Sequence, residues 1–316
     1  MRAAFVKTLM ELADLDSRIL LLTADLGYAA LEPFAERFPD RFVNVGVAEQ
    51  NMIGVATGLA EAGFVPFAYS IANFAALRPY EFIRNGPILH QLPVRIVGVG
   101  GGFEYGHAGP THFGLEDAGI MRMQSGMTVI SPADHQQTRT ALQCTTEIPG
   151  PIYLRIGKDD KTVIPGLGGR FEPGRVQVVR EGGDFVFVGM GSVTSEAVRA
   201  ADRLRERGIE AGLVVVALLQ PAPADDLAEV LSRYRLAVSV EAHSIVGGVG
   251  SLVAEVIAER RLDCRLIRCG VRSPSNGISG SQSFMHTVHS LSPDALCATA
   301  IAGLEELGHG ARYQTN

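Results

Sequence analysis

The sequence has no tryptophan, only four cysteines among 316 residues, and no excess of positive charge, its formal net charge being −6. Cys144, Cys264, Cys269 and Cys297 form no Cys-x-x-Cys pair, and the closest two have no matching histidine cluster, so neither a zinc site nor a disulfide framework is signalled. Without a basic surplus there is no electrostatic footprint for a polyphosphate backbone or an anionic membrane, which disfavours nucleic-acid binding. No apolar run approaches the ~20 residues needed to cross a bilayer. Glu11, Asp14 and Asp16 interrupt the first stretch before a signal-peptide core can form. A reduced, soluble, cytoplasmic protein is the expectation. Nucleotide motifs are missing as well. Gly98-Val99-Gly100-Gly101-Gly102 follows an apolar run, but Phe103 takes the sixth position of G-x-G-x-x-G, and Ile152 stands where a phosphate loop ending in Gly157-Lys158 needs its first glycine. The glycine run reads instead as a flexible loop bringing backbone close to a ligand.

What is present is a tightly turned α/β pattern, with 47% hydrophobic residues, 20% charged residues and 36 glycines. The length exceeds what one hydrophobic core usually organises, so two domains are expected. Helical periodicity over Ala3–Leu15 is followed by an apolar run at Ile19–Thr23, then by Phe42–Val45 and a small-residue helix from Glu49 to Ala62. Further strands are expected at Val65–Ala68, Val94–Val99 and Met127–Ile130, separated by helices near 74–88, 115–122 and 134–146. This alternation means parallel strands with crossover helices. The pattern lapses between Gly157 and Gly183 and then restarts with strands at Phe185–Val188, Leu213–Val216 and Leu236–Val240 and helices at 194–207, 224–233 and 249–261. The expected organisation is a first domain over 1–160, a linker over 161–182 and a second, smaller open α/β domain over 183–316.

Three local features carry candidate chemistry. His286-x-x-His289 would put two imidazoles on one helical face, but no cysteine or nearby carboxylate completes a metal set, and surface histidines are the favoured reading. Gly247-Gly248-Val249-Gly250 opens a helix whose bare amides could hold an anion, and close strand-to-helix packing explains it equally well. Glu49 stands alone at a strand-to-helix junction between small apolar arms. It could serve the helix macrodipole, or be a buried carboxyl whose ionised form is disfavoured.

Val47-Ala48-Glu49-Gln50-Asn51-Met52, Phe74-x-x-x-Arg78, Gly109-Pro110-Thr111-His112, Pro151-Ile152-Tyr153-Leu154-Arg155 and Val240-Glu241-Ala242-His243-Ser244-Ile245-Val246-Gly247-Gly248 occur in the order seen in the transketolase family. Over nearly its whole length the chain resembles the C-terminal half of that family, a pyrimidine-binding domain followed by the transketolase C-terminal domain, as in split transketolases. It is also similar to the corresponding part of 1-deoxyxylulose-5-phosphate synthases. Each motif is weak alone, but five in register are specific.

The resemblance implies thiamin diphosphate as cofactor. Glu49 matches the glutamate that gives a proton to the pyrimidine nitrogen remote from the amino group, a task for a carboxyl that keeps its proton in an apolar setting. Phe74 matches an aromatic packed on the pyrimidine face, with Ile71 where a second phenylalanine is common, and Gln50 and Asp25 complete the implied cofactor contacts. His112 matches a histidine that reaches substrate hydroxyls, against a structural histidine capping its loop. Arg155 and Arg2 match arginines that hold a sugar phosphate, which suits a planar guanidinium.

Transketolases usually carry Gly-Glu-Asp-Gly where this chain reads Gly106-His107-Ala108-Gly109, so the aspartate that meets a substrate hydroxyl is absent. The upstream histidine is replaced within Gly98–Gly102, and His107 or Glu104 would have to compensate. The family holds Mg²⁺ and the diphosphate on a Gly-Asp-Gly motif followed by an asparagine, and no Gly-Asp-Gly occurs here. The resemblance therefore implies an N-terminal-half partner that binds Mg²⁺ and diphosphate, in an α2β2 assembly. Together they would transfer a two-carbon ketol unit between a ketose and an aldose. The alternatives are decarboxylative acyloin formation of the deoxyxylulose-phosphate type, a specialised ketol transfer, or a non-catalytic assembly subunit.

Overall fold

The computed structural model describes residues 1–273 and 276–309. Among the described residues, twelve strands form two sheets. The first six are β1 Ile19–Thr23, β2 Phe42–Asn44, β3 Val65–Ile71, β4 Arg95–Val99, β5 Thr128–Ile130 and β6 Ile152–Ile156. The others are β7 Gln177–Arg180, β8 Phe185–Met190, β9 Ala211–Val215, β10 Leu218–Gln220, β11 Leu236–Ser244 and β12 Arg265–Val271. The first sheet has seven strands in the order β10-β5-β6-β4-β3-β1-β2, and the second has five in the order β12-β11-β8-β9-β7. Pairing is parallel except at β10 and β7, which join antiparallel at their sheets' edges. This matches the expected pair of mostly parallel α/β sheets. Strands such as Ile19–Thr23 and Phe185–Met190 are buried at every residue, because helices cover both faces and leave no polar side to alternate.

Several elements differ from the sequence pattern. The helix expected over 74–88 is three pieces, Ala72–Leu77, Tyr80–Ile83 and a wide turn over Arg84–Ile88, because Pro79 and Pro87 each lack the amide a continuous helix needs. The stretch expected as a linker buries Ile164, Leu167 and Phe171 and contributes β7 to the second sheet. β10 leaves the second half of the chain to pair with β5, with Leu218 opposite Ile130. β12 and the helices Gln282–Val288 and Pro293–Leu304 extend the second unit beyond the expected helix at 249–261. All four cysteines are free thiols. Among the described residues, no helix is long and apolar enough to cross a membrane.

The two sheets meet at the carboxyl end of β11, in the Val240–Gly248 motif. The main-chain amide of Ser244 donates to Leu115 O at 2.8 Å. The Gly119 amide donates to Nε2 of the fully buried His243 at 3.1 Å, while Nδ1 of His243 lies 2.7 Å from Ser244 O. These contacts suit a neutral imidazole with its proton on Nδ1, and burial holds the His243 pKa below its ordinary value.

Next to it, Glu241 turns its carboxylate onto the start of the helix Val249–Arg260. It accepts from the Val249 amide at 2.8 Å and the Gly250 amide at 3.0 Å. A Cβ on Gly248 would lie 1.9 Å from Glu241 Oε2, so this position admits only glycine. Both readings of the glycine-rich turn thus hold at once: a carboxyl group does sit on these amides, and it is the chain's own side chain. Burial pushes the Glu241 pKa up to about 7, against the two amides and the nearby Arg155 and Arg268.

A carboxyl whose folded pKa is raised favours the native state while it is protonated, and that advantage is lost as pH climbs from the unfolded value through about 7. Buried neutral His243 has the opposite sense, favouring the native state above its unfolded pKa and penalising it as pH falls. Glu241→Gln should therefore flatten the decline in stability between about pH 4.5 and 7, an effect of at most about 3 kcal/mol. Denaturant midpoints measured across that range check it, and an unchanged pH slope in Glu241→Gln would contradict the assignment.

Candidate active site

In the first sheet β1 leads to β2 on one side, while β3 and β4 lie on the other, so the connections diverge at the carboxyl ends of β1 and β3. Such a switch point is where open parallel sheets present a crevice. Asp25 follows β1 there, Ser70 and Ile71 end β3, and Glu49 begins the helix Glu49–Glu61 that follows β2.

Glu49 is 2% exposed, and it is the acidic residue of its helix's first turn, so the macrodipole reading is satisfied. Its surroundings are not apolar, however. Nη1 of Arg78 donates to Oε2 at 2.8 Å, and the Ser70 hydroxyl donates to Oε1 at 3.2 Å. The Arg78 guanidinium also lies 3.9 Å from the centroid of the Phe74 ring, a cation–π contact. Phe74 in turn meets the His112 ring edge-on at 5.1 Å. Glu49, Arg78, Phe74 and His112 therefore form one connected cluster. Arg78 is visible in the Phe74-x-x-x-Arg78 spacing, but nothing in that spacing signals that its cation bridges the carboxylate and the aromatic ring.

The loop carrying His112 is fixed from below. Nδ2 of Asn73 donates to Thr111 O at 2.6 Å, and the Thr111 hydroxyl lies 2.9 Å from His112 Nδ1. Ile71 is buried at the end of β3, consistent with an aliphatic wall. Gln50 is exposed beside Glu49. Asp25 is exposed at φ 56° and bonds Asn44, whose side-chain amide donates to Oδ1 at 3.2 Å. His107 and Ala108 stand exposed on a short helical turn of the same loop as His112.

Arg155 is not in an open cleft. It is 6% exposed, with Nε 2.8 Å from Asp117 Oδ2 and Nη2 3.0 Å from both Gly114 O and Ala242 O. Burial alone would lower its pKa, and Asp117 beside it more than reverses that. Its Nε and Nη2 are thus engaged in the seam between the sheets, and this placement speaks against the sequence expectation that Arg155 holds a sugar phosphate in an open cleft. Glu104 is likewise engaged, accepting from the Ser192 hydroxyl at 2.5 Å and from the Lys158 amide, so it does not replace the missing loop carboxylate.

The glycine run is also reassigned. A Cβ on Gly101 would lie 2.3 Å from the Arg155 guanidinium carbon, and one on Gly102 would lie 2.6 Å from Ala242 Cβ, so these residues make room for the seam rather than for a ligand. Arg2 begins the helix Arg2–Leu15, whose start is anchored to Asp160 by the amino terminus and the Ala3 amide, and its charge acts on the Tyr105 hydroxyl. His286 is a core residue, 2% exposed and 3.0 Å from Glu196 Oε1 through Nδ1, not a surface histidine. Among the described residues, no group of three or more His, Cys, Asp or Glu side chains stands ready to hold a metal.

Comparison with known proteins agrees over both sheets. Residues 1–162 match the family "Transketolase, pyrimidine binding domain" and residues 174–294 match "Transketolase, C-terminal domain". A putative transketolase C-terminal section from Methanocaldococcus jannaschii is 39% identical over 275 residues, covering 86% of each chain. One subunit of the apulose-4-phosphate transketolase of Actinobacillus succinogenes is 34% identical, covering 87% of this chain and 88% of its own. A split-gene transketolase, solved as an inactive beta4 tetramer, superposes with a TM-score of 0.86 at 35% identity over 99% of both chains.

Because Arg155 and Asp117 are a buried pair, Arg155→Met strands a charge and should cost about 3 kcal/mol or more of stability. Chemical denaturation tests this. A cleft arginine whose only task is substrate binding would leave the midpoint within the ordinary scatter of about 0.5 kcal/mol for surface changes.

Proposed function

Because this chain belongs to the transketolase family, as the C-terminal half comprising the pyrimidine-binding and C-terminal domains, we propose that it is the pyrimidine-binding subunit of a thiamin-diphosphate-dependent, two-subunit ketol transferase. The observation carrying this reading is the cluster at the first sheet's switch point, where buried Glu49 and half-buried Phe74 share the guanidinium of Arg78. The donor set fits an aminopyrimidine, offering a buried carboxyl for a ring nitrogen, a hydroxyl beside it, and an aromatic face within reach.

Thiamin diphosphate supplies, when bound, the nucleophilic carbon that lets a ketol fragment be detached and passed on. The chain's own residues do the rest. Arg78 fixes Oε2 of Glu49, so Oε1, which meets the Ser70 hydroxyl, is the oxygen placed to share a proton with the pyrimidine nitrogen. Phe74 and Ile71 wall the ring, and Gln50 and Asp25 stand at the rim of the same crevice. His112, tethered through Thr111 and edge-on to Phe74, is positioned to donate to or accept from a substrate hydroxyl. His107 is exposed on the same loop. With Arg155 committed elsewhere, Arg2 beside Tyr105 is the remaining cation from the sequence pattern for a substrate anion.

Mg²⁺ and the diphosphate are assigned to a partner chain. In support, Gly-Asp-Gly is absent here, and relatives matched over nearly their whole length are themselves named as a section or a subunit. In the cell the assembly would work in the cytoplasm on ketose and aldose substrates, phosphorylated or not.

Calorimetric titration of the isolated chain should show no tight Mg²⁺-dependent binding of thiamin diphosphate, and binding should appear on adding an N-terminal-half subunit. Tight binding by this chain alone would overturn the two-subunit reading. In the reconstituted complex, Glu49→Gln should lower turnover by ~10²-fold or more with assembly retained. Arg78 is a positioning residue: Arg78→Met should lower kcat while leaving the substrate KM nearly unchanged, with Arg78→Lys recovering part of the loss. A KM effect without a kcat effect would assign Arg78 to substrate instead.

A further inference from the structure

On the outer side of the second sheet, a cavity of about 400 Å³ opens along β12, the edge strand. Its lining includes Arg268, Arg272, Ser273, His289, Ser290 and Thr299, and no aspartate or glutamate. In a chain of net charge −6, two guanidiniums in a cavity whose lining carries no carboxylate stand out.

Among the described residues neither arginine forms an ion pair with a side chain. Nη2 of Arg272 donates to Arg268 O at 2.7 Å, and Nη1 of Arg268 donates to Ile245 O at 3.0 Å. Both bonds are to main-chain carbonyls, which orient the two forks and leave further N–H donors on each. Arg268 also acts electrostatically on Glu241, whose two oxygens are already taken by the Val249 and Gly250 amides.

His289 stands beside them in the lining. Its ring stacks on Phe103 of the first domain, with centroids 4.8 Å apart and planes 11° from parallel, which sets the imidazole plane. Its Nε2 is buried without a hydrogen-bond partner among the described residues, and a buried polar atom in that state calls for an absent partner. Cys269, also in the lining, adds no negative charge, because burial pushes its thiol up to about 11.

A second cavity, bounded by Glu104, Ser192, Glu196 and His286, offers less, since its carboxylates are already bonded within the chain.

We propose that the cavity on β12 binds a phosphate group, carried by inorganic phosphate or by a small phosphomonoester, through Arg272 and Arg268, with the His289 ring and the hydroxyls of Ser273, Ser290 and Thr299 within the same lining. Planar guanidiniums suit tetrahedral oxyanions, and the volume accommodates a phosphomonoester of a few carbons. This site does not depend on the thiamin reading, because none of its residues belongs to the Glu49–Phe74 cluster.

The experiment follows imidazole ¹⁵N signals of the full-length chain by NMR during titration with inorganic phosphate, and separately with glycerol 3-phosphate, against potassium chloride at matched ionic strength. The expected result is a saturable shift of His289 with at least one phosphate probe and none with chloride. Whichever probe binds tighter identifies the free ion or the ester as the natural form. Arg272→Gln, at an exposed position, should weaken that binding by about tenfold, the scale for losing charge-assisted hydrogen bonds. Arg272→Lys should fall between the two, and Arg205→Gln, at the exposed end of a helix elsewhere, should match the unsubstituted protein. No saturable His289 shift with either probe, or equal affinity in Arg272→Gln, would overturn the proposal.

Discussion

The buried pair between Arg155 and Asp117 is the constraint around which the rest of the chain is arranged. Arg155 lies near the end of β6 of the first sheet, and its guanidinium reaches Asp117, the Gly114 carbonyl and, across the seam, the Ala242 carbonyl of the second sheet. The Tyr153 hydroxyl donates to the same Asp117 oxygen at 2.7 Å. Removing two charges from water is costly, and the hydrogen bonds to Asp117 Oδ2 and from Arg155 Nη2 offset part of that cost, while Asp117 Oδ1 is buried without a hydrogen-bond partner among the described residues. What the pair sets is registration. The second sheet has its own switch point, between the carboxyl ends of β8 and β11. That crevice is the usual place for a ligand in such a fold. Here the first domain reaches into it, through Arg155 at Ala242 and Glu104 at Ser192. The Glu49–His112 cluster lies at the first sheet's switch point.

The same seam connects to the loop that carries His112. Gly102 and Gly114 exchange main-chain hydrogen bonds within that loop, and Gly114 is one of the carbonyls that Arg155 holds. Phe103 and Phe113, edge-on at 5.1 Å, pack between them, with His289 of the second domain stacked on Phe103. The position of His112 over the Phe74 ring is therefore supported from both domains. A histidine that must meet a substrate hydroxyl gains from such support, because small displacements of a positioned group cost much of its effect.

Much of this architecture is legible in the sequence because buried parallel strands read as continuous apolar runs and crossover helices as amphipathic ones. The elements that escape such a reading are short or atypical. β7 and β10 are edge strands of four and three residues, and β12 carries Arg265 and Arg268 among its apolar residues. At the candidate site, motif spacing picks out Glu49, Phe74 and His112, and the fold brings them together. Arg155 reads from sequence as a cleft residue, although it is buried, for a physical reason. An arginine near the end of a strand looks the same in sequence whether it faces a cleft or a carboxylate, and Asp117 is supplied by a separate helix. His286 reads as a surface residue because its partner Glu196 lies on a distant helix. The glycine run reads as a mobile ligand loop, although its missing side chains leave room for Arg155 and Ala242.

The placement of β10 limits how the molecule can be divided. Its three residues come from the second half of the sequence yet complete the first sheet beside β5, and the Ser131 amide donates to Ala217 O just before that strand. A cut through residues 157–183 would separate the sequence into two halves but would remove this strand from the first sheet. β5 would become an exposed edge with unpaired amides and carbonyls, the kind of edge that recruits a strand from another molecule. The two domains are distinct in sequence pattern and in sheet, but they are stitched at this edge, and the chain is best regarded as one cooperative folding unit.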